Sequence, residues 1–180
     1  MNRFATKLIA LILALPFLLV SFSPLATVSA ESAGEQAFLP SLTDFAKSVE
    51  NYNPTQITGV YVNNLLALPV VQQPSGQAGF VSTTGEVLTQ FSAASNYGST
   101  GLLAHNYLAG RYFINLSHGS IITLVYGDGH MQSYIVTVVK QYQALSPNSP
   151  YSQFVNLAQP GITLSSSDLF YQTYGLKNVL

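Results

Sequence analysis

The sequence predicts a mainly β fold, a barrel with short peripheral helices, and three observations carry that prediction. Two β-rich runs, Ser120–Tyr126 and Met131–Val139, flank Gly127-Asp128-Gly129. Asp-Gly between such runs signals a hairpin, because the turn needs residues that tolerate φ > 0. Both runs are apolar on both faces. Ile121, Thr123 and Val125 alternate with Ile122, Leu124 and Tyr126, and Tyr134, Val136 and Val138 alternate with Ile135, Thr137 and Val139. A strand with no polar face is expected to be buried on both sides, or to sit in a barrel with something packed outside it. The composition is also of β type: 11 Tyr and 10 Phe stand against only 7% charged residues, and Asn, Gln, Ser and Thr supply most of the polarity.

At the N-terminus, Arg3 and Lys7 precede the apolar run Leu8–Val20, and the stretch closes on Val28-Ser29-Ala30. A basic start, a short apolar run and small residues at minus three and minus one make residues 1–30 a secretory signal peptide. The competing reading is an uncleaved anchor. The charge-free stretch Leu8 to Val28 is long enough for a bilayer core of about 30 Å at ~1.5 Å per residue. The Val-Ser-Ala ending favours cleavage, with a mature chain starting at Glu31. The protein is therefore expected to be secreted or extracytoplasmic, touching a membrane only through residues 1–30 if they are retained.

Residues 31–54 form a polar lead. Within it Ser41 and Asp44 can take orphan N–H groups of a first helical turn, and Leu42, Phe45 and Val49 share one face of a short helix. Residues 55–180 form the main domain. Ile57–Val62 reads as a strand and Leu65–Val71 as a second, with Pro69 placing it at an edge or bend. Gln72–Gly79 is a loop. Glu86, three after Thr83, suggests a capping box opening a helix to about Tyr97, with Val87, Phe91 and Ala94 at helical spacing and Gly98 as the stop. Gly101–Ala104 is an apolar strand running into His105. One helical turn carries Phe113 and Leu116, and the hairpin follows. Lys140–Ala144 continues the β path, Ser146–Pro150 is a turn-rich connector, and Ser165 with Asp168 caps a short helix Asp168–Tyr174 closed by Gly175. Leu176–Leu180 reads as the opening of another strand.

Composition excludes several classes of function. The net charge is -1, and no run of Lys and Arg exists for nucleic acid to bind. The chain has no cysteine, which removes disulfides and thiolate metal sites. No G-x-S-x-G elbow and no phosphate-cradling glycine pattern occur. His105, His118 and His130 lack helical i, i+4 spacing and an accompanying carboxylate, so no metal is expected, and no cofactor. His118, His130 and Asp128 read as solvated turn residues, and Arg111 as a solvated residue at a helix start.

His105 is the candidate catalytic residue. Imidazole titrates near neutrality and can pass a proton to a leaving amine or take one from a nucleophile. The alternative is a strand-end histidine with no role. The surrounding order decides between them: a strand ending in His105, then Phe113-x-x-Leu116-x-x-Gly119, then a hairpin with Gly129 and a Tyr134-x-Val136 ending. This order resembles the sortases, extracytoplasmic cysteine transpeptidases built on a β-barrel, and extends more loosely over Ile57–Leu180. The chain departs from the family pattern with Leu-Ala-His where Thr-Gly-His is usual, and with Gly119-Ser120 where Gly-Asp is frequent.

The resemblance implies a histidine that partners a cysteine attacking the carbonyl of an extended peptide, with the thioacyl-enzyme resolved by an amine or water. It implies that the cysteine sits on the strand after the last helix and an essential arginine on the next. Neither is present in these 180 residues, and Arg111 precedes the place where the family arginine belongs. Two expectations follow: a C-terminally incomplete sortase-like domain, inactive as given, or a degenerate paralogue. The competing function is a non-catalytic barrel that binds a peptide or wall component. A carbohydrate-binding β module has only the aromatic content behind it.

Overall fold

Ser41 starts the first helix as its place before an apolar i, i+3 pattern requires: its hydroxyl accepts the Asp44 backbone N–H at 3.1 Å. This computed structural model describes residues 39–149 and 151–175. Helix α1 (Leu42–Ser48) lays Phe45 and Ala46, both buried, against strand β1 (Ile57–Val62). With Tyr61 and Val125 they make one small core, and Leu42, Val49 and Ala67 close its rim. Gly59 permits that contact, because a Cβ there would lie 2.8 Å from the Phe45 ring.

β1 is buried at all six positions and is the axis of the main sheet. Strand β2 (Leu66–Gln72) pairs antiparallel with it, Val60 opposite Leu68. Strand β3 (Leu88–Phe91) lies parallel to β2, Val70 opposite Leu88. Strand β4 (Gly101–Leu103) returns antiparallel, Gln90 opposite Leu102. On the other side of β1 come β5 (Ile121–Tyr126) and β6 (Met131–Ile135), both antiparallel. The order β4-β3-β2-β1-β5-β6 makes a curled six-stranded half-barrel. The curl brings Leu102 of β4 and Ile122 of β5, with three strands between them, onto the same interior cluster as Ile57, Val60, Leu66, Leu68, Leu88 and Leu124. A second sheet, β7 (Tyr142–Ala144), β8 (Gln153–Asn156) and β9 (Thr163–Ser165), is antiparallel in chain order. It leads through a capping box, Ser165 with Asp168, into α3 (Ser166–Phe170) and a wider π-type turn, Tyr171–Gly175.

The hairpin closes as its glycines require. The Gly129 N–H donates to the Tyr126 carbonyl at 2.9 Å, and Gly129 takes φ +84°, the left-handed position of a three-residue hairpin loop. β1, β2 and β4 fall within a residue or two of the strands the sequence predicts.

Four expectations are corrected. The helix expected from Glu86 to Tyr97 is strand β3 followed by a four-residue helix α2 (Ser92–Ser95). Leu88 and Thr89 are fully buried and hydrogen-bonded into the sheet opposite Val70 and Val71, and that pairing overrides the local helical spacing. Glu86 caps no helix; its carboxylate binds Arg111 and Tyr112. The second hairpin strand ends at Ile135 and is exposed at every position: β6 is an edge strand among the described residues, and none of its side chains joins either core cluster. Its lack of a polar face therefore does not reflect burial. Finally, β8 and β9 lie where no strand is predicted, and with β7, which falls within the expected β segment Lys140–Ala144, they form a second sheet. The expected signal peptide 1–30 and the strand at Leu176–Leu180 fall outside the described residues.

Candidate functional site

β4 is the edge of the half-barrel, and His105 follows its last residue by two positions. Three contacts fix the turn that His105 begins. Its carbonyl accepts the backbone N–H groups of Leu108 and Gly110, each at 3.0 Å. Gly110 makes this approach possible, since a Cβ there would lie 2.7 Å from the same oxygen. The imidazole is half-buried and stacks on Tyr107, with ring centroids 5.3 Å apart and planes 30° apart. The turn feeds the 3-10 helix Ala109–Asn115, whose fully buried Ala109 anchors it to the interior cluster. Phe113 and Leu116, the two positions singled out by the sequence pattern, pack against that cluster too. They secure the segment after His105 through burial.

The opposite end of β4 is held by aromatic packing. Phe170 and Tyr174 of the last helical segment pack on Phe91 at 5.9 and 5.7 Å, and Tyr97 meets Phe170 edge-on at 5.3 Å. The Tyr174 hydroxyl would stand 3.1 Å from a Cβ on Gly101. Burial pushes the Tyr174 phenol pKa up. The Tyr174 side chain thus reaches the first residue of β4, while His105 lies just beyond the last. No strand among the described residues pairs with the second edge of β4.

The remaining singled-out side chains do not converge on His105. Arg111 binds the Glu86 carboxylate and the Tyr112 hydroxyl, the latter at 2.9 Å, and lies 4.7 Å over the Tyr112 ring. The Tyr112 hydroxyl first, with Glu86 also contributing, pushes its guanidinium pKa up. His118 is exposed. His130 stacks on Tyr126 at 4.1 Å and bonds Asp128 at 2.5 Å at the hairpin tip. Among the described residues, His, Asp and Glu side chains form no group of three that could hold a metal ion, and no carboxylate hydrogen-bonds the His105 ring.

Sequence reasoning missed the concave face of the half-barrel. An apolar cleft of about 350 Å³ opens there, with Val60, Leu66, Leu88 and Leu102 among its walls. A neighbouring cleft of about 430 Å³ runs from Gly98-Ser99-Thr100 past Leu102 to Tyr134. The signal was present in part, as an unbroken apolar register along Ile57–Val62 and Leu65–Val71. Curvature, which makes the cleft, depends on how strands pair. Leu102 lines both clefts; His105 lines neither. Among the described residues no helix is long and apolar enough to cross a membrane. Compared with known proteins, the chain matches no family model, no curated protein and no solved structure.

Proposed function

We propose that this chain carries the histidine-bearing part of a sortase-like cysteine transpeptidase acting on extended surface-protein peptides, with His105 as its acid–base residue. The observation that supports this reading is the position of His105 at the end of an edge strand whose second edge has no described partner. A strand added to that edge level with Gly101, parallel to β4, would rise about 3.3 Å per residue. It would reach the level of His105 roughly four residues along, so a thiol carried at its end would come beside the imidazole. The thiolate would attack the peptide carbonyl, and His105 would hand a proton to the leaving amine. The 180 residues contain no cysteine, so this chain by itself forms no thioacyl intermediate.

The lack of a nucleophile favours a second reading, a non-catalytic extracytoplasmic barrel that binds a peptide or wall component. Reading the gene past codon 180, then assaying the longest product for peptide cleavage with and without a thiol blocker, separates the two. The transpeptidase reading expects a thiol-dependent activity in a longer product and its loss on His105→Ala. A stop codon directly after Leu180, or cleavage by the cysteine-free chain, defeats it.

A further inference from the structure

We infer that the concave face of the half-barrel is a binding site for a single-chain amphiphile with an anionic head, a fatty-acid-like carboxylate, whose head is held at Lys140. The inference does not rest on the transpeptidase reading, since His105 does not line this cleft. The walls come from the most deeply buried parts of the fold: Leu66 is 2% exposed and Leu88 0%, and Leu102 and Phe113 complete them. These side chains offer no hydrogen bond, so a polar ligand entering here would lose its water without replacement. An alkyl chain loses nothing and gains the transfer of its methylenes out of water. The volume, about 350 Å³, falls within the range of small-molecule sites.

Charge selects the head. Lys140 is the one charged residue lining the cleft, and no Asp or Glu does. Of the other two described cations, Arg111 is taken up by Glu86 and Lys47 lies in the last turn of α1. Lys140, exposed, and Val138 also border two adjoining clefts, so a head group held at Lys140 would keep part of its water. Val138, 62% exposed, presents apolar surface on that rim, where it could meet the upper part of a bound chain. The arrangement is an apolar socket with one cation at its mouth. A charge-assisted hydrogen bond to a carboxylate oxygen fits it.

The test is displacement of a fluorescent polyene fatty acid from the full chain by saturated carboxylates of increasing length, all below their micelle concentrations. Affinity is expected to rise about fourfold with each added methylene until the cleft is full. Lys140→Glu, at an exposed position, is expected to weaken the carboxylates roughly tenfold and to leave alcohols of the same length unchanged. Val138→Asp, on the exposed rim, is expected to act in the same direction. A cooperative melt of each variant establishes that it is folded. Affinity independent of chain length overturns the inference. So does equal binding of carboxylate, alcohol and alkyl-trimethylammonium, or preference for a neutral extended peptide over the carboxylates.

Discussion

Replacing Gly59 by Ala tests how α1 is mounted on the sheet. Gly59 takes no positive φ, so its backbone suits alanine, and in open space the change would stabilise the fold by about 0.4–1 kcal/mol by restricting the unfolded chain. The space is not open. The new Cβ would lie 2.8 Å from two atoms of the Phe45 ring and 3.0 Å from a Val49 methyl, where ordinary carbon contacts are about 3.5–4.0 Å. Phe45 is 4% exposed and packs on Tyr61 with ring centroids 6.0 Å apart, so its ring has little room to retreat. Relief requires α1 to lift or the ring to leave its rotamer, at about 1–3 kcal/mol. The clash exceeds the backbone gain, so Gly59→Ala is expected to be destabilising, lowering Tm by roughly 3–10 °C for a domain of this size. Thermal melts followed by circular dichroism read this directly. Phe45→Leu in the Gly59→Ala background is expected to cost less than the sum of the single changes, the mark of two residues in contact. A neutral or stabilised Gly59→Ala, or strict additivity of the pair, would refute the packing of α1 over β1.

Two further outcomes are expected. The Asp128 carboxyl accepts the His130 backbone N–H at 3.1 Å and bonds its ring, and these bonds, the backbone one first, hold its pKa below the ordinary value. The folded pKa is depressed, so the contribution to stability is present above the unfolded value and is lost as pH falls through the folded one. Asp128→Asn should therefore lower Tm on the neutral side, leave it nearly unchanged at the acid end where the contribution is already lost, and so flatten the acid limb of a Tm-against-pH curve; an unaltered acid limb would show that the carboxylate contributes nothing to the hairpin tip. Intact-mass analysis of secreted protein should give a chain beginning at Glu31, and a membrane-bound species retaining Arg3 and Lys7 would instead favour the anchor.

Much of the β architecture is legible in the residues themselves, because it rests on local rules. Ser41 and Asp44 start a helix by capping it, Gly127-Asp128-Gly129 turns a hairpin because Gly129 accepts a left-handed backbone, and Ile57–Val62 is a strand because six consecutive residues suit burial on two faces. His105 at the end of a strand was legible for the same reason. What the sequence alone did not decide is whatever depends on a partner distant in the chain. Val87, Phe91 and Ala94 satisfy a helical period, yet pairing of Leu88 with Val70, eighteen positions away, makes that segment a strand. The hairpin strands are alike in apolar content. β5 is half buried because Leu124 and Val125 join the two core clusters, whereas no side chain of β6, an edge strand among the described residues, does. The cleft follows from the same cause. Its walls come from β1, β2, β3, β4 and β5, and no local pattern encodes the curl that sets Leu102 facing Ile122. Hydrogen bonds within a turn or a helical cap span a few residues and can be read one residue at a time. Sheet order, edges and curvature are settled by long-range pairing, where the free energy of burial is shared among segments that the sequence keeps far apart.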